Sequence, residues 1–222
     1  MCFLNKSFID VLKQIPKKTY IKWFVFLALI YALYDFVYIQ ADAKKLMLEE
    51  PVFNSGLLPM MIMNIDIPLI VGGLLVCIIF DRKGVLSSLA IRTRQQMLWL
   101  LVGVIAFVGV VYILKPSTTK DAYDIIHCLI VAAFIEELIF RGLLFSWFEK
   151  AKMGKLAYLL SGIFWGAHYG IRSIVLGGYS ILWAVLSTAL FGAVIGTIAA
   201  ILYKKTDSMW LLVYLHAVLS LL

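Results

Sequence analysis

Two adjacent carboxylates and one guanidinium interrupt an otherwise apolar stretch of the chain at residues 122–148. Glu137 and Arg141 lie four residues apart with the acid first, which is the favourable order for an ion pair within one helix. Glu136 projects about 100° away from that pair, because an α-helix has 3.6 residues per turn. It needs a partner from another helix, and an ionisable residue inside a membrane helix is a candidate functional residue.

Two histidines in later apolar stretches are candidates for that partner. His168 follows Phe164 by four residues and His216 precedes Ser220 by four, so each pair shares one helix face. Glu136 and His168 are each twelve residues from the predicted cytoplasmic ends of their helices, or roughly 18 Å. His216 is eight residues from its helix end, or roughly 12 Å. These similar depths predict one polar cavity shared by a glutamate and two histidines, although each residue alone is more typical of a polar contact between helices.

The composition of the chain predicts that these residues lie in a membrane. Of its 222 residues, 63% are hydrophobic and only 15% are charged, and the mean hydropathy is +0.97. A soluble domain is about half apolar and a quarter charged. The three cysteines do not provide a disulfide framework. We predict an all-α fold, a polytopic membrane bundle of about seven transmembrane helices.

The apolar stretches set the predicted organisation, since a membrane-spanning helix needs roughly 20 mostly apolar residues. Residues 1–121 are predicted to hold helices 1–3 and basic cytoplasmic segments, and residues 122–222 a catalytic core of helices 4–7. The predicted helices cover about 22–39, 57–80, 97–114, 122–148, 156–171, 180–203 and 208–222. Two glycine stripes predict close helix packing. They are formed by Gly162, Gly166 and Gly170, and by Gly192 and Gly196.

The basic residues predict the orientation in the cell membrane, because cytoplasmic loops are enriched in Lys and Arg. With the N-terminus in the cytoplasm, the inner segments carry fourteen basic residues and the outer segments five. The inner set is Lys6, Lys13, Lys17, Lys18, Lys22, Arg82, Lys83, Arg92, Arg94, Lys150, Lys152, Lys155, Lys204 and Lys205. The outer set is Lys44, Lys45, Lys115, Lys120 and Arg172. This distribution indicates contact with lipid headgroups, not with nucleic acid.

Three further polar residues lie within the predicted apolar stretches. Asp35 and Asp66 are expected to line either the cavity or a subunit contact, and the sequence does not separate these alternatives. His127, three residues after Asp124, is expected at the membrane interface.

Together these patterns resemble the CPBP family, the CAAX-processing and bacteriocin-processing intramembrane proteases that are also called the Abi family. The resemblance covers about residues 122–222, whereas residues 1–121 are similar only in being hydrophobic helices. It rests on four motifs in series. They are the Glu-Glu-x-x-x-Arg motif at 136–141, Phe-x-x-x-His at 164–168, the segment 203–210, and His-x-x-x-polar at 216–220.

The resemblance implies a role for each residue of the fourth and fifth helices. Glu136 is implied to be the catalytic base that activates a water molecule together with His168. Glu137 and Arg141 are implied to hold the site in shape. A buried base of this kind is consistent with general acid–base chemistry.

The resemblance also implies that His216 and the residue four positions later stabilise the oxyanion of a tetrahedral intermediate. The family usually has Asn at that last position, where this chain has Ser220. A shorter hydroxyl replaces an amide donor there. We expect the base to be retained and the oxyanion site to be altered.

The sequence leaves the use of a metal open, because the family has been described both as metalloproteases and as glutamate-dependent enzymes. Two histidines with carboxylates can bind zinc, but the chain has no His-Glu-x-x-His motif on one helix face. We expect that no cofactor is required.

The leading functional hypothesis is an intramembrane endopeptidase that acts on a leader-type peptide or a membrane-protein substrate. The alternative is a non-catalytic membrane regulator or bacteriocin self-immunity protein that binds a partner such as a membrane sensor kinase, and Ser220 favours this slightly. A proton-coupled transporter is a third hypothesis, but the chain lacks the paired broken helices typical of one.

Labelling of introduced cysteines tests the predicted orientation. In a background without Cys2, Cys77 and Cys128, a cysteine at position 88 should react from the cytoplasmic side and one at position 118 from the outside. The reverse pattern would show that the predicted topology is wrong. The depths of Glu136, His168 and His216, which are counted from the predicted cytoplasmic helix ends, would then also be wrong.

Overall fold

A computed structural model of the protein describes residue 13 and residues 15–43, 61–175 and 180–222. Lys6, Lys44 and Lys45, most of the polar stretch before the second helix, and the predicted start of that helix at 57–60 lie outside them. The described parts of the chain form seven helices, which we label α1 to α7 in chain order.

Each helix coincides with one predicted apolar stretch. The helices are α1 Lys17–Ala43, α2 Ile62–Leu89, α3 Arg94–Leu114, α4 over residues 119–150, α5 Lys155–Val175, α6 Ile181–Thr206 and α7 Met209–Leu221. Within the described residues, α1, α2, α3 and α6 are long and apolar enough to cross a membrane, and α7 is a shorter apolar helix. The all-α membrane bundle is therefore confirmed.

Helix α2 continues nine residues beyond its predicted end at residue 80. Asp81 has non-helical backbone angles, φ −159° and ψ 75°, and its Oδ1 accepts a hydrogen bond of 2.8 Å from the backbone N–H of Gly84. This is the geometry of an N-cap, so Asp81 starts a second helical piece where the apolar stretch ends. Ser88 lies inside that piece and bonds to α4, so the exposed Lys83 is a better position for a cytoplasmic label.

The N-terminus of α3 also holds α7 in place. Thr93 and Gln96 form a capping box, in which each side chain accepts a hydrogen bond from the other residue's backbone N–H, both at 3.1 Å. The amide nitrogen of Gln96 then donates to the backbone oxygen of Asp207 at 2.6 Å and to its carboxylate at 3.0 Å. Because Asp207 lies in the turn between α6 and α7, this contact ties the start of α7 to α3.

Helix α4 is the centre of the bundle and packs against α2, α5 and α7. Every residue from Leu138 to Phe145 is buried, including Arg141. Helix α3 instead exposes large apolar side chains such as Ile105 and Ile113, at 70% and 74%. Apolar side chains on the outside are expected where lipid is the solvent.

The two predicted glycine stripes face each other between α5 and α6. A Cβ atom added to Gly166 would lie 2.6 Å from the Cα of Gly192, and one added to Gly196 would lie 2.6 Å from the Cα of Gly162. The helix backbones therefore touch, as expected for small-residue packing in membranes.

Helices α6 and α7 separate after the short turn that joins them. Helix α6 packs mainly against α5, whereas α7 packs mainly against α3 and α4. Their divergence leaves a cleft beside α4.

Candidate active site

The two glutamates of α4 lie at the junction between two π-helical stretches, Cys128–Ile135 and Leu138–Phe145. Both side chains are 2% exposed. Such widened helical turns are frequently found at functional sites.

The carboxylate of Glu137 has two hydrogen-bond partners, Arg141 and His216. Its Oε1 accepts a hydrogen bond of 3.0 Å from Nη1 of Arg141, which confirms the predicted pair within α4. The same oxygen lies 2.9 Å from Nδ1 of His216, so the Nδ1–H group of α7 donates to it. The guanidinium of Arg141 also lies 4.7 Å from the ring centre of Trp165. One carboxylate therefore joins α4 to α7.

Glu136 obtains its partners from α5. The indole nitrogen of Trp165 donates to Oε2 of Glu136 at 2.7 Å, and the hydroxyl of Tyr169 donates to the same oxygen at 2.9 Å. Sequence reasoning did not identify these two donors. Their four-residue spacing, which puts both on the helix face next to His168, was the available signal.

The two predicted histidines approach the two oxygens of Glu136 separately. Nε2 of His168 lies 3.8 Å from Oε1, and Nε2 of His216 lies 3.9 Å from Oε2. These distances exceed a direct hydrogen bond, so each histidine is placed to share a small ligand with the carboxylate. The structure thus brings Glu136, His168 and His216 together.

Aromatic side chains surround the ring of His168. Tyr31 and Tyr34 of α1 have ring centres 5.8 Å and 4.5 Å from it, and those of Tyr169 and Phe140 lie at 5.5 Å and 6.3 Å. The contribution of α1 was missed, because its tyrosines reach the site only through the packing of α1 on α5.

Ser220 lies on the wall of an adjoining cavity and is exposed. This cavity has a volume of about 480 Å³, and Glu137, Arg141 and His216 line its polar end. The rest of its lining is mostly apolar and comes from α5, α6 and α7, including Trp183, Phe191, Ile195, Ile198, Leu202, Leu212, Leu215 and Leu219. Ser220 is therefore beside the cluster, one turn beyond His216 on α7.

Asp66 belongs to a second polar cluster, which it forms with His127 and Tyr123. Its Oδ1 lies 2.7 Å from Nδ1 of His127 and accepts a hydrogen bond of 3.1 Å from the hydroxyl of Tyr123. Asp66 thus connects α2 to the start of α4 and is not among the residues that line the cavity. Asp35 is half-buried on α1.

The described residues also test the fit of a metal. Among them, no group of three or more His, Cys, Asp and Glu side chains is arranged to hold a metal ion. One oxygen of Glu136 and one nitrogen of His216 are already engaged by protein groups. The side chains of the described residues therefore do not fit a metal ion at this site.

A buried carboxylate beside two histidines, inside a helical membrane bundle, can supply a general base for hydrolysis. Residues 118–222 match the model of the family described as Type II CAAX prenyl endopeptidase Rce1-like. This match confirms the resemblance to the CPBP family over that segment, and the family it names is one of endopeptidases. The matched segment contains all six predicted site residues. No curated protein and no solved structure matches the chain.

The buried ion pair on α4 generates a stability prediction. Arg141→Ala and Glu137→Ala should each lower the free energy of unfolding by about 3–5 kcal/mol, because each strands a charge in a low-dielectric interior. Unfolding in detergent micelles measures this. The control is Lys204→Ala, which breaks the exposed pair with Glu149 at 2.9 Å and should change stability by about 0–1 kcal/mol. If Arg141→Ala and Glu137→Ala lower the free energy of unfolding no more than Lys204→Ala does, the pair on α4 does not stabilise the fold.

Proposed function

We propose that the protein is an endopeptidase that hydrolyses a peptide bond in a membrane-associated or leader-type peptide, with Glu136 as the base. The supporting observation is the asymmetric environment of this buried carboxylate. Its Oε2 accepts two hydrogen bonds from α5, whereas its Oε1 faces Nε2 of His168 at 3.8 Å. Oε2 is thus held by two hydrogen-bond donors, and Oε1 is free to accept a proton.

The first step uses that free oxygen. A water molecule bound between Oε1 of Glu136 and Nε2 of His168 gives one proton to Oε1. The water oxygen forms a bond to the substrate carbonyl carbon, and the carbonyl electron pair moves to the carbonyl oxygen. Holding water and base in contact reduces the entropic part of the barrier.

The second step breaks the peptide bond. The tetrahedral intermediate collapses, the C–N bond breaks, and Glu136 returns its proton to the departing nitrogen. The products are a carboxylic acid and an amine, and Glu136 is again a carboxylate. The same residue thus acts first as general base and then as general acid.

The oxyanion of the intermediate requires donors, for which we propose His216 and Ser220. Because Nδ1–H of His216 already donates to Glu137, its Nε2 can donate only if the ring carries both protons.

The cavity supports an apolar substrate segment. Its walls are mostly apolar side chains of α6 and α7, and its polar end lies at Glu137, Arg141 and His216. A hydrophobic peptide can therefore bury its side chains while its scissile bond reaches the polar end. The charge distribution of the sequence supports a cytoplasmic N-terminus for this bundle.

Substitution of the base tests the proposed function. Glu136→Gln and His168→Ala should each reduce proteolysis at least about 100-fold while leaving expression near normal, because each removes a group that handles the proton or the water. The measurement compares the new peptide termini in cells that contain the native or the variant protein.

Glu149→Gln is the matched control, since Glu149 is a half-buried glutamate outside the site, paired with the exposed Lys204. It should give the native set of peptide termini. Native cleavage by Glu136→Gln would refute the peptidase proposal. A phenotype that this variant still rescues would support the alternative, a non-catalytic membrane regulator or self-immunity protein.

Ser220 provides a separate test of the oxyanion site. If its hydroxyl donates in the transition state alone, Ser220→Ala should lower kcat by about tenfold and leave KM nearly unchanged. Ser220→Asn should keep or raise kcat, because position 220 is exposed and has room for an amide. Steady-state kinetics on an identified substrate measure both. If neither variant changes kcat, Ser220 is not an oxyanion donor.

A further inference from the structure

Tyr34 of α1 buries a hydroxyl group that the fold leaves unpaired. The residue is 1% exposed, and its hydroxyl has no hydrogen-bond partner among the described residues. Its ring meets the ring of His168 edge to face, with centres 4.5 Å apart. Tyr34 lies outside the segment that matches the protease family, residues 118–222.

The neighbouring tyrosines of α1 are satisfied. The hydroxyl of Tyr31 donates to the backbone oxygen of Phe164 at 2.6 Å. The hydroxyl of Tyr38 is hydrogen-bonded to Arg172, whose guanidinium also lies 3.6 Å from the ring centre of Tyr38. A buried hydroxyl without a partner is destabilising, and a phenylalanine would fill the same space without that cost. An unpaired polar group of this kind requires a functional or ligand-binding explanation.

A second unpaired polar atom lies on the histidine ring that Tyr34 contacts. Nε2 of His168 is buried and has no hydrogen-bond partner among the described residues, and it is 3.8 Å from Oε1 of Glu136. A water molecule has two protons to donate and two lone pairs. It can donate one hydrogen bond to Glu136 and one to Nε2 of His168. One of its lone pairs can then accept a hydrogen bond, while the other attacks the substrate carbonyl carbon.

We propose that Tyr34 is a further residue of the active site, whose hydroxyl donates a hydrogen bond to the attacking water. This inference rests on the proposed endopeptidase function. Tyr34 keeps its own proton throughout, and the proton lost by the water goes to Glu136. The hydroxyl orients the water so that its free lone pair faces the substrate carbonyl carbon. The N-terminal region thereby contributes directly to the chemistry.

The variant Tyr34→Phe removes the hydroxyl and retains the ring. It should lower kcat by about tenfold with KM changed by less than about twofold, because the hydrogen bond orients the nucleophile and not the substrate. Its midpoint of thermal unfolding should equal or exceed that of the native protein, since an unpaired buried hydroxyl is removed. The full-length protein in detergent micelles is assayed with a quenched-fluorescence peptide containing the cleavage site found by the Glu136→Gln comparison.

Tyr38→Phe is the matched control, because it removes a hydroxyl one turn further along α1 and retains the ring under Arg172. Its kcat should stay within about twofold of the native value. An unchanged kcat in Tyr34→Phe, or equal losses in both variants, would overturn the inference. Loss of activity in Glu136→Gln with native kcat in Tyr34→Phe refutes only the role of Tyr34, whereas native cleavage by Glu136→Gln refutes the endopeptidase itself.

Discussion

The buried carboxylate of Glu137 is the interaction on which the arrangement of the site depends. One of its oxygens binds both Arg141 on its own helix and His216 on α7. In a low-dielectric interior, none of these groups can lose its partner without a large cost. The network therefore sets the distance and rotation of α7 relative to α4. Because the ring of His216 is held at Nδ1, its other nitrogen is directed towards Glu136.

The helices were predictable because each is a continuous apolar stretch, and in lipid a helix satisfies its own backbone. The largest boundary error is at α2, where Asp81 caps a new helical piece in a segment whose charges suggested a loop. The charged site residues were also predictable, since a charge in an apolar stretch stands out. The donors Trp165 and Tyr169 were not, because aromatic side chains in membrane helices more often serve packing or interface roles.

The position of α1 shows a further limit of pattern reasoning. Residues 1–121 carry no motif of the family, yet α1 places Tyr31 and Tyr34 against the ring of His168. This contact depends on the packing of α1 against α5, which are far apart in the sequence. The spacing of residues within α1 does not indicate this contact with His168. The predicted division at residue 121 therefore separates the residues that carry motifs from those that do not. The residues around His168 come from both sides of it.

The divergence of α6 and α7 has a consequence for how a substrate finds the protein. The cavity between them is bordered by exposed apolar side chains such as Phe191, Ile198 and Leu219. A surface of this kind would face the hydrocarbon of the bilayer, and a substrate of the proposed endopeptidase would then reach it by diffusing in the plane of the membrane. Encounter would depend on the concentration of peptide dissolved in the lipid. Partitioning into the bilayer would thus be a level of selectivity ahead of sequence.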